Sequence, residues 1–344
     1  MNRFSKGLLL CVVASAQFPA VAAGAQDAWT YQGKTVSVFV AASVGGGYDF
    51  YARLLARHIG KHLPGNPMVV VKNMPGAGGV ILANHLQTRA ARDGTEFGAL
   101  EHGTAFTSLL TGGRAEFDPT RLGWLGSMEQ FTPIVAVWHT SPIHSADDLT
   151  TKPMNVGTSG AGSTTSGYPN ALNGILGTRM KVIGGYPGSA EINLAIERGE
   201  LDGVASWCWT CAKGQKPHWI AENKLRVVLQ LAPVPDPELK QMRIPTVFEW
   251  AKTEEQRRML NIVFGSVAMS RPFAAPPDLP PGRLALLRTA FERAVKDPEL
   301  IADATQKGFV VEFVRPELLD QLVKNAFATD PELIAKVRSA YSGK

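Results

Sequence analysis

Hydrophobic and polar residues alternate with two different periods along the first third of the chain. Short apolar runs, typical of strands buried on both faces, occupy residues 36–41, 68–72 and 97–100. Apolar residues recur every three or four positions over 49–59 and 80–86, which predicts a helix in each stretch. Strands and helices that alternate through short loops predict βαβ units and a parallel sheet.

The same alternation continues through the rest of the chain. A proline-rich stretch over 275–282 predicts a rigid connection in front of a helix. Further strands are predicted at residues 132–139, 154–157, 180–183, 201–206, 225–232 and 262–269. Further helices are predicted at residues 171–176, 190–198, 283–295, 298–307 and 316–326.

Two of the predicted strand-to-helix connections share a design. Residues 44–49 carry three consecutive glycines, and residues 158–164 contain only Thr, Ser, Gly and Ala. A helix N-terminus presents unpaired N–H groups and a partial positive charge, so both loops suit a carboxylate or another anion. In parallel sheets such loops meet at the carboxyl ends of the strands. The first loop lacks the Gly-x-Gly-x-x-Gly and Gly-Lys-Ser/Thr patterns of phosphate loops.

The N-terminus has the pattern of an export signal. Arg3 and Lys6 precede a short apolar run over 8–16, and Ala23-Gly-Ala25 is a typical cleavage site. We expect residues 1–25 to be removed near Ala25 and the protein to reach the periplasm. About 320 residues then remain, enough for two domains. The formal net charge of +5 is small and scattered, which argues against nucleic-acid binding.

Two cysteines remain after the predicted signal, Cys208 and Cys211. In an oxidising compartment they are expected to form a local disulfide or to remain as two free thiols. Their spacing also matches a thiol–disulfide redox motif, although no proline follows the second cysteine. A redox enzyme is therefore an alternative function.

The sequence shows no recognisable set of catalytic or metal-binding residues. His58 and His62 lie one helical turn apart, but no Glu stands between them as in His-Glu-x-x-His. No Gly-x-Ser-x-Gly motif occurs. We therefore expect no enzyme activity, no metal and no cofactor.

Several short motifs, taken in their order, resemble one known family. They are Val44-Gly-Gly-Gly-Tyr-Asp, Val71-Lys-Asn-Met-Pro-Gly-Ala-Gly-Gly, Arg92-Asp-Gly-Thr and Val156-Gly-Thr-Ser-Gly-Ala-Gly-Ser. The chain is similar to the periplasmic receptors of tripartite tricarboxylate transporters, the Bug family, in a divergent branch. It departs from the family at Val40-Ala41, where many members have Pro-Phe, and at Tyr48, where a small residue or Thr is usual.

This resemblance implies an α/β, type II periplasmic-binding-protein fold: two lobes with a ligand cleft and two crossing strands. The crossings are expected near residues 134–137 and 227–231. Lobe one would then hold residues 28–135 together with 231–344, and lobe two residues 136–230.

The resemblance also implies a function and a site. The protein would be a monomer that captures a small organic acid or amino acid and passes it to inner-membrane permease subunits. A sensory receptor that feeds a signalling partner is the alternative. The expected ligand-binding residues are Val44, Gly45, Gly46, Gly47, Tyr48, Asp49, Glu101, His102, Thr158, Ser159, Gly160, Ala161, Gly162, Ser163, Thr164, Tyr186 and Trp207.

Overall fold

The computed structural model describes residues 29–42, 44–45, 47–112, 116–160, 163–186 and 189–343. The predicted export signal lies outside these residues. None of the helices within these ranges has both the length and the apolar character that a bilayer-spanning helix needs.

In the described ranges the strands form two five-stranded sheets. The first has the order β2-β1-β3-β10-β4 and the second the order β7-β6-β8-β5-β9. The strands are β1 (Thr35–Val40), β2 (Met68–Asn73), β3 (Glu96–Ala99), β4 (Gly123–Ser127), β5 (Pro133–Trp138), β6 (Met154–Gly157), β7 (Met180–Ile183), β8 (Gly203–Cys208), β9 (Leu225–Gln230) and β10 (Pro272–Ala275).

Parallel pairing follows the predicted βαβ units. β1 lies between β2 and β3 and is parallel to both, and its last five residues are buried. β6 is parallel to β7 and β8 in the second sheet. The α/β class and the parallel pairing predicted from the sequence are confirmed.

The chain crosses between the two sheets twice. It leaves the first sheet after Ser127 and enters the second at Pro133. It leaves the second sheet after Gln230 and returns to the first at Pro272, where β10 pairs antiparallel with β3 and β4. The strands β5 and β9, which contain the predicted crossings, pair antiparallel with each other in the second sheet. The residue-level lobe boundaries stay a prediction.

Helices cover the faces of both sheets. They are α1 (Gly47–Ile59), α2 (Val80–Thr88), α3 (Thr107–Thr111), α4 (Asp148–Thr151), α5 (Thr164–Leu176), α6 (Ser189–Glu197), α7 (Trp209–Gln215), α8 (Pro217–Ala221), α9 (Pro237–Gln241), α10 (Glu254–Phe264), α11 (Pro281–Val295), α12 (Pro298–Gln306), α13 (Pro316–Phe327) and α14 (Pro331–Ser342). Each helix from α11 to α14 begins at a proline, which costs no intrahelical hydrogen bond at that position.

The prediction of a strand at residues 262–269 is wrong. This stretch is the end of α10 followed by a short 3-10 helix, Gly265–Met269. Thr253 begins α10 with a capping box, in which its side chain and that of Gln256 each accept a backbone N–H of the other. The misreading arose because residues 262–267 are buried throughout, so the helical period does not show in the sequence.

The C-terminal helix α14 packs directly on α5. A Cβ atom at Gly167 would overlap the Tyr341 ring, and one at Gly174 would lie 2.7 Å from Cβ of Ala340. Glycine is therefore required at both positions for the two helices to approach closely. This contact fixes α5, whose first residue ends the Ser/Thr-rich connection.

Candidate functional site

The glycine-rich connection, residues 44–49, is closed by its own carboxylate. Oδ2 of the buried Asp49 accepts hydrogen bonds from the Gly45 N–H and from Nε of Arg53, both at 2.9 Å. Oδ1 accepts a hydrogen bond from Nδ2 of Asn73 at 2.8 Å. Burial alone would raise the pKa of Asp49, but these hydrogen bonds outweigh it and hold the pKa below its ordinary value. The carboxylate therefore serves the loop itself.

Tyr48 begins a chain of hydrogen bonds that reaches the second half of the molecule. Its hydroxyl accepts the His102 N–H at 3.1 Å and lies 2.9 Å from Nδ1 of the same residue. Nε2 of His102 lies 3.3 Å from the hydroxyl of Tyr168, which belongs to α5. Burial lowers the pKa of His102 to about 4, with a smaller contribution from the charge of Arg271. His102 is thus a neutral partner at neutral pH.

A cavity of about 610 Å³ lies between the two predicted loops and is called here the outer cavity. Burial raises the pKa of Glu101 in its wall, and the charge of Arg271 partly offsets this. The predicted site residues in this wall are Tyr48, Glu101, His102, Ser159, Ser163 and Thr164. The structure therefore brings residues of both loops to one cavity.

The second loop is a network of hydroxyl groups. Oγ1 of Thr165 lies 2.6 Å from Oγ of Ser163 and 3.1 Å from Oγ1 of Thr158 and Oγ of Ser159. The carbonyl of Gly160 accepts a hydrogen bond from Ser163 at 2.7 Å. Hydroxyl groups both donate and accept, so this network can turn donors towards an anion without moving the backbone.

A second cavity of about 560 Å³ lies on the other side of Tyr48, whose ring belongs to both walls. It is called here the hinge-side cavity. Nε of Arg271 lies 3.1 Å from Oε2 of Glu129, and the side chains are 11% and 4% exposed. The guanidinium carbon of Arg271 lies 4.4 Å from the ring centre of Tyr48. A buried, stacked ion pair therefore forms one wall of this cavity.

Arg271 and Glu129 lie on the two segments that connect the sheets. Oγ of Ser127 accepts the Arg271 N–H at 2.9 Å, and Oγ of Ser270 accepts the Phe131 N–H at 2.9 Å. These bonds join the outgoing connection to the returning one. The hinge-side cavity is therefore built on the place where the chain passes between the sheets.

Not every predicted residue lies at these cavities. Val44 is 73% exposed at the loop tip. Tyr186 and Trp207 line neither cavity; they pack in an apolar cluster, where the Trp207 ring lies edge-on to Trp219 with centres 5.7 Å apart. The predicted residues Gly46, Ala161 and Gly162 lie outside the described residues.

Arg271 was not found by the sequence analysis. It lies directly before β10, a strand of four residues that follows the stretch misread as a strand. One signal was present, since Arg271 is the only charged residue in the run from 266 to 275. A single charge in an otherwise uncharged, largely buried segment indicates a partner in the fold.

Cys208 and Cys211 form a disulfide. Cys208 is buried at the end of β8, and Cys211 lies in the wall of the hinge-side cavity. Between them, Oγ1 of Thr210 donates a hydrogen bond to Oε1 of Glu129 at 3.2 Å. The disulfide therefore closes the turn that places Thr210 against the ion pair.

The two histidines near the end of α1 are paired with carboxylates. Nε2 of His58 lies 3.0 Å from Asp303, and Nε2 of His62 lies 3.0 Å from Asp297. The Lys61 ammonium lies 2.7 Å from the same oxygen of Asp297. These contacts form an ion-pair network that holds α1 against α12.

Comparison with known proteins gives structural matches only. No protein-family model matches the sequence, and no curated protein matches it significantly. A TctC solute-binding protein from Polaromonas matches with a TM-score of 0.67 at 18% identity, over 90% of this chain and 100% of that one. MatC from Rhodopseudomonas palustris, solved with bound malate, matches with a TM-score of 0.61 at 21% identity, over 89% and 98%.

The periplasmic binding protein BugD also matches, with a TM-score of 0.61 at 20% identity, over 90% of this chain and 98% of BugD. These proteins are TctC and Bug receptors, the group that the sequence motifs resemble. Each match covers about nine-tenths of this chain. The chain therefore has the two-lobed α/β fold of periplasmic binding proteins, as the resemblance implied.

Proposed function

We propose that this protein is a periplasmic solute-binding receptor of the Bug type that captures a small organic carboxylate. The outer cavity is the observation that carries the proposal. Its wall contains the start of α1 through Tyr48 and the start of α5 through Thr164, with the hydroxyls of Ser159 and Ser163 beside them. A ligand there contacts both halves of the molecule at once, and such contacts favour a closed arrangement of two lobes.

The size and chemistry of the outer cavity support a small acid. A volume of about 610 Å³ lies within the range of small-molecule sites. The loop hydroxyls and the starts of α1 and α5 supply hydrogen-bond donors to such an acid, and the start of α1 also borders the hinge-side cavity with its Arg271. MatC, which shares the fold, was solved with malate, a small dicarboxylate.

The fold and the export pattern of residues 1–25 support a place in the periplasm. A receptor of this kind hands its ligand to permease subunits in the inner membrane, and it acts as a monomer. Binding and release require no catalytic group, which accords with the absence of a catalytic motif in the sequence.

A thermal-shift and calorimetric screen with the mature protein tests the proposal. The compounds are small mono-, di- and tricarboxylates, each with its neutral amide as a control. A saturating ligand at a hundred times Kd stabilises the folded state by about 2.7 kcal/mol. We expect a shift with at least one acid and none with its fully amidated control.

A matched pair of variants locates the binding. Gly103 lies in the wall of the outer cavity, and a Cβ added there meets no atom within 4 Å, so the backbone accepts a side chain and we expect the ring of Gly103→Trp to occupy the cavity. Gly282, at the start of α11, is equally open and serves as the control, Gly282→Trp. We expect Gly103→Trp alone to lose the ligand-induced shift. Retention of binding in Gly103→Trp would rule out the outer cavity.

A further inference from the structure

The charges of the two cavities are arranged unequally around Tyr48. In the described part of the outer wall, Glu101 is the only residue with a formal charge at neutral pH. The hinge-side wall contains the Arg271–Glu129 pair and the exposed Lys307. Among the described wall residues, those with a formal positive charge line the hinge-side cavity, and the outer cavity carries a carboxylate.

Arg271 retains hydrogen-bond donors for a ligand. Its Nε lies 3.1 Å from Oε2 of Glu129 without forming a hydrogen bond, and its two terminal nitrogens carry four further N–H groups, some of which are shared with the hydroxyls of Tyr48 and Tyr51. A Cβ atom placed on Gly47 would lie 3.3 Å from Nη2 of Arg271, so the guanidinium reaches the first residue of α1. A carboxylate in the hinge-side cavity thus meets a planar fork of donors beside a helix N-terminus.

Stacking holds the guanidinium in place for this contact. Its central carbon lies 4.4 Å from the ring centre of Tyr48 and 5.3 Å from those of Tyr51 and Phe131. A fixed guanidinium loses little conformational entropy when it binds an anion. Arg271 is therefore preorganised as a carboxylate anchor.

Glu101, in the wall of the outer cavity, should repel an anion, whereas Arg271 attracts one. It follows β3 and is partly buried in a wall without a lysine or arginine among its described residues. A second carboxylate of a ligand would lie beside this like charge in a poorly solvated space. A neutral amide or hydroxyl at the same place would instead find hydrogen-bond partners in Glu101 and in the loop hydroxyls.

We propose that the cleft selects a monocarboxylate, whose carboxylate binds Arg271 in the hinge-side cavity and whose other end, carrying no negative charge, extends past Tyr48 towards Glu101. This inference rests on the proposed receptor function and narrows its ligand class. It excludes di- and tricarboxylates as the preferred ligands.

Pairs of ligands that differ by one charge test the selection on the unmodified protein. Succinate is compared with succinamate, and glutarate with glutaramate, because the half-amide has nearly the size and shape of the diacid. Calorimetry at neutral pH should give at least tenfold tighter binding for the half-amide in each pair. Equal or tighter binding of the diacids overturns the inference.

Substitutions at two positions, Glu101 and Arg271, test which residues cause the selection. Glu101→Gln removes the repelling charge and should bring the two members of each pair to within about threefold of each other. Arg271→Gln should weaken binding of the half-amide at least tenfold. Arg271→Lys keeps the charge opposite Glu129 but loses the planar fork of donors, so its affinity should lie between those of the unmodified protein and Arg271→Gln. Arg288→Gln is the control, because Arg288 pairs with Asp320 and lines neither cavity. The affinity of this variant for the half-amide should equal that of the unmodified protein.

The outcomes separate this inference from the receptor proposal. If no acid of the thermal-shift screen and neither member of these pairs binds, the receptor proposal fails and this inference with it. If both bind and Gly103→Trp abolishes binding while Glu101→Gln and Arg271→Gln change nothing, only the monocarboxylate selection fails. Circular dichroism and urea unfolding show that each variant is folded before its affinity is compared.

Discussion

The two strand-to-helix loops are both rich in small residues, but their polar side chains are hydrogen-bonded in different ways. In the first, Asp49 bonds Gly45, Arg53 and Asn73 and is 2% exposed. In the second, hydroxyl groups bond mainly to one another at the edge of the outer cavity. A carboxylate holds the first loop in one arrangement, whereas the second loop contains no charged group.

The difference shows that a glycine-rich loop before a helix is not by itself a ligand site. The first loop uses its carboxylate for its own structure and offers the ligand mainly the side chain of Tyr48. The second loop keeps adaptable donors close to the cavity. We therefore expect substitutions in the first loop to act on stability and those in the second to act mainly on binding.

The largest effect is expected from Asp49→Ala. The variant leaves the Gly45 N–H without its acceptor and the Asn73 amide with only the Ala42 carbonyl, while Arg53, whose side chain is 43% exposed, can be hydrated. We expect a loss of about 3 kcal/mol in the free energy of unfolding, the scale of hydrogen bonds to a charged group. Urea unfolding measures it.

Asp303→Ala is the matched control for this prediction. Asp303 also has two basic partners, Arg57 and His58, but its side chain is 41% exposed. Its removal should cost less than about 1 kcal/mol. Equal losses in the two variants would mean that burial does not distinguish the first loop.

The pH dependence of stability provides a second test of Asp49. Its pKa is lower in the folded state than the unfolded value of about 4, so the carboxylate stabilises the fold fully above that value. The contribution is lost as the pH falls through the folded pKa. Urea unfolding of the unmodified protein and of Asp49→Asn should therefore differ more at pH 7 than at pH 3. A difference independent of pH would contradict the assignment.

Tyr48→Phe is expected to have an intermediate effect. It removes the acceptor of the His102 N–H and the partner of Nδ1 in a buried site. We expect a loss of about 1–3 kcal/mol in the free energy of unfolding, the cost of leaving buried polar groups unpaired. Tyr186→Phe, in a loop of the second half, should change stability by less than about 0.5 kcal/mol. Similar values for both variants would show that the hydrogen-bond chain does not stabilise the fold.

The parallel part of the fold was predictable because its signals are local. The apolar run of β1, the glycines after it and the amphipathic helix that follows define a βαβ unit without any distant partner. The strands β4 and β10 were missed because Gly123–Ser127 and Pro272–Ala275 are short and buried at every position, so no alternation marks them.

The site was only partly predictable for a related reason. Both loops could be located, since each follows its own strand along the chain, and Glu101 and His102 follow β3 in the wall of the outer cavity. Their part in ligand binding stays a prediction. Arg271 and Glu129 meet only because the chain returns to the first sheet, where the Arg271 N–H bonds Ser127 across 144 residues of sequence. A pairing at that separation leaves no periodic signal in the sequence.

The smallest effect is expected from Thr165→Val, in the first turn of α5 directly after the second loop. The change keeps the side-chain shape but removes the hydroxyl that joins Thr158, Ser159 and Ser163. Water can replace this half-buried hydroxyl as a partner, so we expect a loss of about 1 kcal/mol or less in urea unfolding. The free energy of ligand binding should weaken by more than the free energy of unfolding, because the remaining hydroxyls are no longer oriented towards the outer cavity. A loss of stability as large as that of Asp49→Ala would show that the second loop is as rigidly built as the first.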